Sequence, residues 1–252
     1  MDTVKRITVK IGTNILSRDM GIDLNFLNHI AEQVAELNRS GYEILLVSSG
    51  AIGMGAGELG LTERVPTIPM RQACASIGQP LLMQHYKEIF KRKKVLISQI
   101  LLTREVLDNR LSYLNLRNAI ETLLELHVVP VLNENDSVST AEIGNAFGDN
   151  DTLSAYIASK TDSDLLVLLT DIDGLYNGNP KVDADAELVP FVQEITEEVA
   201  SWAGEATGST FSTGGMRTKL LAADIASKAG CASIIADGRR ENILLRLLAG
   251  EE

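Results

Sequence analysis

The sequence contains few of the residues that form disulfides and metal sites. Its 252 residues include two cysteines, three histidines and one tryptophan. Cys74 and Cys231 lie far apart, and neither belongs to a CxxC pair or to a Cys/His pattern with metal-ligand spacing. Both lie in apolar stretches, so we predict two reduced thiols in the core and no metal held by the protein itself.

Positive charge is scarce too. The 23 Lys and Arg side chains are outnumbered by 34 Asp and Glu side chains, which gives a net charge of −11. Nucleic-acid binding requires clustered cations against the phosphate backbone, so we expect no nucleic-acid partner. The densest basic run, KRKK at positions 91–94, directly precedes a strand-like segment. We interpret it as a solvated helix end, where cations suit the helix dipole, in preference to an anion-binding patch.

Long apolar runs are the third absence. No run reaches the roughly 20 residues of a membrane-spanning helix. The N-terminal residues MDTVKRITVKIG enter a strand-like pattern directly, without the charged and apolar regions of a secretion signal. We therefore expect a protein that works in the cytoplasm and does not bind a membrane.

The apolar residues fall into two kinds of segment that alternate along the chain. The hydrophobic set makes up 45% of the sequence and the mean hydropathy is +0.07, enough for a substantial core. Short runs rich in β-branched residues and leucine, most of them apolar on successive residues, indicate parallel strands covered on both faces. These runs are 7–11, 44–47, 95–102, 128–132, 165–169 and 233–236. Amphipathic helical patterns lie at 24–40, 70–92, 112–126, 152–159 and 216–229. The alternation predicts an α/β fold, an open α/β/α sandwich with a mainly parallel central sheet.

Open α/β sheets bind ligands at the carboxyl ends of their strands, so the residues after each run are candidate site residues. Lys10 lies at the end of the first run and Gly12 and Thr13 follow it, and a lysine beside a glycine turn suits a phosphate group. The Walker pattern GxxxxGK[ST] is absent. The first run is not followed by GxGxxG either, which argues against a dinucleotide-binding dehydrogenase.

A second combination of glycine and lysine occurs late in the chain. The stretch TGGMRTK (213–219) opens a helical pattern, so Gly214 and Gly215 expose backbone N–H groups and Lys219 follows one turn later. A solvated helical lysine is the alternative, but the Gly-Gly opening favours a phosphate site.

Small and acidic residues follow the other strand-like runs. SSGAIGMG (48–55) lets a ligand approach the backbone, although a tight turn into a helix explains it equally well. NEND (133–136) and GDNDT (148–152) offer amide and carboxylate groups that suit a ligand ammonium group. A helix cap accounts for one aspartate but not for both clusters. Thr170 and Asp171 are either turn residues or nucleotide contacts.

The segment 173–190 is rich in Gly, Asn, Pro and Asp and has few apolar residues. Its composition predicts a long loop or a small hairpin. Long loops in compact domains often serve as lids, so a lid over a bound ligand is our hypothesis for this segment.

Together these motifs resemble the amino acid kinase family and, within it, the glutamate 5-kinases. The matching stretches are VKIGTNIL (9–16), VSSGAIGMG (47–55), VPVLNENDSV (129–138), GDNDTLSA (148–155), LLTDIDGLY (168–176) and STGGMRTKLLAA (212–223). They follow the family's order over nearly the whole chain. The glycine–lysine stretch is shared with related kinases, whereas NENDSV followed by GDNDTLSA is specific to the glutamate 5-kinases.

The resemblance implies a reaction in which ATP and L-glutamate give ADP and L-glutamyl 5-phosphate, the first step towards proline. It implies one domain over residues 1–252, with the amino acid bound by residues 1–160 and the nucleotide by 161–252. Mg²⁺ would enter on the nucleotide phosphates. The partners implied are L-glutamate and ATP, with proline as a feedback inhibitor and a homo-oligomeric assembly.

Individual roles follow from the same resemblance. Lys10, Lys219 and Asp151 are the implied catalytic residues, with Asp151 holding the two lysines in place. The implied glutamate-binding residues are Ser49, Gly50, Asp136, Asp149 and Asn150. The implied ATP-binding residues are Lys10, Gly12, Thr170, Asp171, Thr213, Gly214, Gly215, Met216, Arg217, Thr218 and Lys219.

The sequence departs from the family pattern in two places. Many members carry a C-terminal PUA domain, and we expect the form that lacks it. The stretch EIGNAF (142–147) is longer than the family's usual spacing, which bears on the shape of the glutamate loop and on proline feedback.

The implied chemistry agrees with the residues present. A side-chain carboxylate with a pKa of about 4.3 is already ionised at pH 7, so this nucleophile needs no general base. His29, His85 and His127 accordingly lie outside the strand-end motifs, at predicted helix surfaces or ends. Two alternatives stay open: a kinase of the same scaffold that acts on acetylglutamate, aspartate or UMP, and a non-catalytic sensor. The specific motifs argue against the first, and Lys10, Asp151 and Lys219 argue against the second.

Overall fold

The computed structural model describes residues 4–18, 21–61, 65–139, 150–180, 183, 185–203 and 215–251. The strands in these ranges are β1 (Arg6–Ile11), β2 (Ser17–Arg18), β3 (Gly21–Ile22), β4 (Glu43–Val47), β5 (Ile97–Leu102), β6 (Val129–Glu134), β7 (Leu165–Thr170), β8 (Leu175–Tyr176), β9 (Leu188–Val189) and β10 (Ala232–Asp237). The helices are α1 (Thr13–Leu16), α2 (Leu24–Arg39), α3 (Ala51–Glu58), α4 (Ile68–Arg92), α5 (Arg104–Asp108), α6 (Arg110–Glu125), α7 (Asp151–Lys160), α8 (Glu197–Ser201), α9 (Met216–Lys228) and α10 (Ile243–Ala249).

The centre of the fold is a parallel sheet of six strands in the order β10-β7-β1-β4-β6-β5. All six coincide with the predicted apolar runs to within about two residues, as expected of element boundaries. Helices α2, α4 and α10 cover one face of the sheet, and α5, α6, α7 and α9 cover the other. The predicted α/β/α sandwich with a parallel sheet is confirmed.

Strand β1 lies between the parts of the sheet contributed by the two halves of the chain. It pairs with β4 on one side and with β7 on the other. Alternate side chains of β1 point to opposite faces, as in any strand. Ile7 and Val9 join the core under α2 and α4, whereas Thr8 and Lys10 face α7 and the turn after it.

The prediction that each strand is buried on both faces is correct only for the inner strands. Every residue of β7 is buried, but five of the six residues of β5 are partly or fully exposed. Strand β5 lies at the edge of the sheet, where it has a single neighbour, β6. The apolar pattern of 97–102 therefore reflects strand propensity more than full burial.

Helices α3 and α4 approach each other closely because of two glycines. A Cβ atom on Gly55 would lie 1.8 Å from the carbonyl oxygen of Cys74, and one on Gly78 would lie 1.9 Å from that of Ala51. Only glycine fits at either position, since no other residue avoids these contacts. The close packing fixes the start of α3, which follows directly after the Ser49-Gly50 turn.

The two cysteines and the basic run lie where the sequence predicts them. Cys74 and Cys231 are buried free thiols. The basic run at 91–94 forms the end of α4, and Lys93 pairs there with Glu32. The apolar segment 81–90 packs into the core through its buried side chains, Leu82, Tyr86, Ile89 and Phe90. Among the described residues, no helix combines the length and the apolar character needed to cross a bilayer.

Candidate active site

The carboxyl ends of the parallel strands meet at one edge of the sheet and bring the predicted site residues together. Lys10 belongs to the end of β1, Ser48 and Ser49 follow β4, and Thr170 ends β7. Helix α7 begins at Asp151 and α9 begins at Met216, so both helices start at the same edge. These two helices pack side by side through small residues such as Ala155 and Ala222.

The two predicted lysines bind the same carboxylate. Lys10 Nζ lies 2.8 Å from Oδ1 of Asp151, and Lys219 Nζ lies 3.2 Å from Oδ2. The side chains of Lys10 and Asp151 are fully buried, and that of Lys219 is 5% exposed. The sequence alone did not show whether Lys10 and Lys219 lie close together. In the structure both cations contact one carboxylate, at the edge where the strands end.

Asp151 is held in its ionised form by its surroundings. Burial on its own would raise the pKa of this carboxyl, but the charges of Lys10 and Lys219 and the hydrogen bonds it accepts outweigh burial, and the pKa lies below its ordinary value. One of those hydrogen bonds comes from Thr218 Oγ1, 2.7 Å from Oδ2. Oδ1 of the carboxylate therefore faces the ammonium group of Lys10, and Oδ2 faces Lys219 and the hydroxyl of Thr218.

Gly12 brings the turn after β1 against the end of β7. Its backbone N–H donates to the carbonyl of Leu169 at 3.0 Å. A Cβ atom at this position would lie 2.9 Å from that same carbonyl oxygen and 3.8 Å from Lys10 Nζ. A glycine is therefore required for the turn to pass directly beside the ammonium group of Lys10.

Ser49 and Gly50 form the turn between β4 and α3. Ser49 is 4% exposed. Gly50 has a φ of 94° and occupies the position before the first residue of α3. That left-handed backbone favours glycine, and it lets the chain turn sharply so that the start of α3 faces the edge of the sheet.

A chain of buried amides connects this turn to the start of α7. Asn150, in a left-handed conformation with φ 63°, directly precedes Asp151. Its Nδ2 donates to the backbone carbonyl of Ser48 at 2.7 Å and to Oδ1 of Asn133 at 2.7 Å, with Ser49 Oγ at 3.4 Å. Asn133 Nδ2 in turn donates to Oε1 of Gln79 at 2.8 Å. The predicted substrate residues Ser49 and Asn150 are therefore fixed by one network.

Two carboxyl groups lie at the end of β6, because Glu134 is its last residue and Asp136 follows it. Burial and the neighbouring charge of Glu134 raise the pKa of Asp136 to about 7, with Arg71 opposing them. Burial also raises the pKa of Glu134, against a hydrogen bond from Ser139 and the charge of Arg71. A second positive charge, such as a ligand ammonium group, would stabilise the ionised forms of both carboxyls.

The predicted nucleotide residues lie on the opposite side, around the end of β7. Thr170 is buried, and its hydroxyl donates to the exposed Asp171 at 3.2 Å. Asn14 Nδ2 donates to the other oxygen of Asp171 at 3.3 Å. These contacts join the turn after β1 to the turn after β7, leaving the Asp171 carboxylate accessible to solvent.

The glycine–lysine stretch is described only from Gly215 onwards. Gly215 precedes the first residue of α9, Arg217 is exposed, and Met216 packs against an apolar cluster around Leu175 and Leu220. The predicted residues Thr213 and Gly214 lie outside the described residues. So do Asp149 and the long EIGNAF stretch at 142–147.

Within the described part of the segment 173–190, β8 and β9 pair antiparallel, as in the predicted small hairpin. Tyr176 donates its hydroxyl to Asp173 at 3.0 Å, and Arg240 lies 3.5 Å from the same carboxylate. The hairpin is thereby joined to the turn after β10. Its role as a lid stays a prediction.

Two residues that touch the site, Arg71 and Gln79, were not predicted to do so, because neither belongs to a recognised motif. Asn133 and Glu134 belong to the NEND stretch, which was predicted as a whole to suit a ligand ammonium group, without a separate role for either residue. Thr218, for which ATP binding stays a prediction, donates its hydroxyl to Asp151.

Comparison with known proteins places the chain among kinases. The sequence pattern of the amino acid kinase family matches residues 5–237. The glutamate 5-kinase of Methanosarcina barkeri is 48% identical over 260 residues, covering 100% of this chain and 68% of that protein. The glutamate 5-kinase of Clostridium acetobutylicum is 44% identical over 250 residues, covering 98% of this chain and 92% of that protein. The chain spans about two thirds of the length of the Methanosarcina relatives.

A solved structure supports the same fold. Carbamate kinase from Giardia lamblia, bound to AMP-PNP, superposes with a TM-score of 0.69 over 100% of this chain and 98% of that chain, at 15% sequence identity. At that identity the likeness concerns the fold alone. Because the family pattern covers nearly the whole chain and the relatives share almost half of its residues, the chain belongs to the amino acid kinase family.

Proposed function

We propose that this protein is an ATP-dependent glutamate 5-kinase, which transfers the γ-phosphoryl group of ATP to the side-chain carboxylate of L-glutamate and so begins proline biosynthesis. The observation that carries the proposal is the Lys10–Asp151–Lys219 cluster at the edge of the sheet. Identities of 44–49% to proteins named glutamate 5-kinase support the choice of glutamate as the acceptor.

The acceptor determines what the protein must supply. A carboxylate is ionised at neutral pH, so it attacks phosphorus without first losing a proton. The reaction forms a bond between a carboxylate oxygen and the γ-phosphorus while the bond from that phosphorus to the β,γ-bridging oxygen breaks, and ADP leaves. His29, His85 and His127 lie at helix surfaces or ends, which agrees with a reaction that needs no histidine base.

Charge is the remaining barrier. An anion approaches a polyphosphate, and the transition state spreads negative charge over the transferred oxygens, so positioning and electrostatic stabilisation dominate catalysis. In our proposal Lys10 and Lys219 supply that stabilisation. Asp151 keeps both ammonium groups in fixed positions before substrate arrives, so that little reorganisation is required during transfer. Asp151 acts through the lysines and takes no proton.

The two substrates would approach the lysines from opposite sides. We assign the amino acid to the side built by residues before 160, where Ser49, Gly50 and Asn150 surround the turn after β4. Asp136 would bind the ammonium group, and the turn at Ser49-Gly50 would donate to the α-carboxylate. We assign the nucleotide to the side after residue 160, near Thr170, Asp171 and the start of α9.

The metal ion would be held by the nucleotide. Within the described ranges, no group of three or more His, Cys, Asp or Glu side chains is arranged to hold a metal ion. The carboxylate nearest the reaction, Asp151, is already engaged by two lysines and Thr218. This arrangement fits Mg²⁺ bound through the ATP phosphates, where it would neutralise part of their charge.

Three further properties stay predictions from the sequence. They are inhibition by proline, assembly as a homo-oligomer and location in the cytoplasm. The N-terminal and C-terminal division of the domain into amino-acid and nucleotide halves is likewise part of this proposal.

The test is a coupled assay of ADP release with glutamate, aspartate, N-acetylglutamate and UMP compared side by side. Hydroxylamine in a parallel reaction traps an acyl phosphate as the hydroxamate. We expect ADP release and hydroxamate with glutamate. ADP release driven by another acceptor would contradict the substrate assignment, and absence of acceptor-dependent release would favour a non-catalytic sensor.

A further inference from the structure

Gln79 belongs to α4, a helix whose other buried side chains include the core residues Leu82 and Tyr86. Its side chain is 7% exposed and reaches the edge of the sheet, where its Oε1 accepts a hydrogen bond from Asn133. We propose that Gln79 is a positioning residue of the amino-acid site, which acts through Asn133 to fix which end of the Asn150 amide faces the substrate. This inference rests on the proposed function.

Each hydrogen bond between Gln79, Asn133 and Asn150 has its acceptor on the side of Gln79. Gln79 Oε1 is an acceptor, so it draws the Nδ2 end of Asn133 towards itself at 2.8 Å. Asn133 Oδ1 then points the other way and accepts from Asn150 Nδ2 at 2.7 Å. The backbone N–H of Glu134 also donates to Asn133 Oδ1, at 2.9 Å, and favours the same orientation.

The direction of these bonds determines what Asn150 offers to a ligand. Its Nδ2 carries two protons, and two short bonds engage them, one to Asn133 and one to the carbonyl of Ser48. The carbonyl oxygen of the Asn150 amide is then the atom of that side chain able to interact with a ligand. A carbonyl oxygen accepts from an ammonium group, whereas the opposite orientation would present two donors to it.

Burial makes this orientation costly to change. Asn133 is 2% exposed and Asn150 is 9% exposed, and a buried polar group that loses its partner is not compensated by a hydrogen bond to water. Without an acceptor at position 79, Asn133 Nδ2 would lose its buried partner and the side chain would rotate towards other acceptors. Asn150 would then lose its fixed orientation, although no substrate-contacting residue has been altered.

The test uses substitutions at position 79 in the full chain. Gln79→Met keeps the length of the side chain and removes the acceptor, and Gln79→Ala removes it with less bulk in case the methionine variant does not fold. Gln79→Glu keeps an acceptor at the same position. Gln33→Met is the matched control, because Gln33 is also buried. Its Oε1 accepts a hydrogen bond from the backbone N–H of Leu244 at 2.8 Å, which joins α2 to α10.

Glutarate separates a loss of orientation from a general loosening of the site, because it keeps both carboxylates of glutamate and lacks the ammonium group. We expect Gln79→Met and Gln79→Ala to raise the KM for glutamate about tenfold, the effect of one lost hydrogen bond at its upper range. The KM for ATP and the inhibition constant of glutarate should stay unchanged, and Gln79→Glu should retain the glutamate KM of the unsubstituted protein.

Each other outcome overturns this inference. An unchanged glutamate KM in Gln79→Met and Gln79→Ala would show that the amide chain has no effect on the substrate. A structural effect only would be revealed if the KM for glutamate and the inhibition constant of glutarate rose equally, or if Gln33→Met raised the KM for glutamate by the same factor. Failure of the proposed function is distinguishable, because the unsubstituted protein would then show no glutamate-dependent ADP release.

Discussion

The ammonium group of Lys10 lies 2.8 Å from Oδ1 of Asp151, and both side chains are completely buried. Such a pair is expensive to desolvate, and removing one partner leaves the other as an uncompensated buried charge. The protein nevertheless adds a second lysine and a hydroxyl to the same carboxylate. The arrangement favours a functional explanation, since a phosphoryl group entering beside the lysines would provide the negative charge that a single aspartate cannot balance.

Loss of either lysine should reduce turnover. We expect Lys219→Ala and Lys10→Ala to lower kcat by on the order of a hundredfold to a thousandfold, as for other groups that stabilise developing charge. Steady-state ADP release gives kcat, and thermal unfolding checks that each variant folds. Lys228→Ala, at the exposed end of the same helix as Lys219, is the control and should not change kcat. Near-normal turnover in a folded Lys219→Ala variant would exclude the two-lysine mechanism.

Asp151 should make the protein sensitive to acid. Its pKa is lowered in the folded state, so its contribution to stability is fully present above the unfolded pKa of about 3.9 and is lost as the pH falls through the folded value. Asp151→Asn should lack this part of the pH dependence and should also lower kcat. Thermal unfolding of both proteins between neutral and acid pH provides the measurement. Parallel curves for the two proteins would argue against a stabilising role of this carboxylate.

Asp136 should show the opposite dependence. Its pKa is raised to about 7, so the folded state binds the proton more tightly, and the stabilisation present below the unfolded pKa of about 3.9 is lost as the pH rises to about 7. Asp136→Asn should abolish this decline, which thermal unfolding across the same pH range would detect. If the ionised form binds the substrate ammonium, the glutamate KM of the unsubstituted protein should fall as the pH rises through about 7.

The same substitution tests the location of the amino-acid site. Asp136→Ala and Asp136→Asn should raise the KM for glutamate more than the KM for ATP, because our proposal assigns the lost charge to the amino acid and not to the nucleotide. The exposed Asp108, on α5, offers a control substitution, Asp108→Asn, which should leave both values unchanged. A larger increase in the KM for ATP would show that Asp136 belongs to the nucleotide site.

Two glycines of α3 should respond in opposite ways to alanine. A Cβ atom on Gly55 would lie 1.8 Å from the Cys74 carbonyl, so Gly55→Ala should force α3 away from α4 and destabilise the protein by about 1–3 kcal/mol or more. A Cβ atom on Gly53 would meet no neighbouring atom of the described residues within 4 Å, so Gly53→Ala should stabilise by about 0.5–1 kcal/mol through helix propensity. Denaturant unfolding of the pair distinguishes them, and equal effects would contradict the packing argument.

Much of the fold could be predicted because its signals are local. A strand buried on both faces shows up as four or five successive apolar residues in β4 and β7, whereas the inner strand β1 carries Thr8 and Lys10 within its run. Helices shorter than two turns carry too few residues for a reliable periodicity, so α5 and α8 were not predicted. The start of α3 looked like a glycine-rich turn because its glycines serve packing against α4, which lies further along the chain.

The site residues were predictable where a charged residue stands in a recognisable local motif. Lys10, Asp151 and Lys219 stand beside glycine turns or helix starts that recur in the family motifs. Gln79 could not be found in this way, because its function depends on a contact with Asn133, which is distant in sequence and close only after folding. A polar residue in a helix gives no local sign of whether it faces water or a buried amide.

The position of strand β1 in the middle of the sheet affects how the chain folds during synthesis. Ile7 pairs with Leu165, and Lys10 forms its ion pair with Asp151, which also binds Lys219. During synthesis, the first strand leaves the ribosome long before these partners exist, with its apolar side chains and one edge uncovered. Such distant pairings slow folding and leave intermediates prone to aggregation. We therefore expect nascent chains that end before β7 to depend on chaperones, whatever the stability of the finished enzyme.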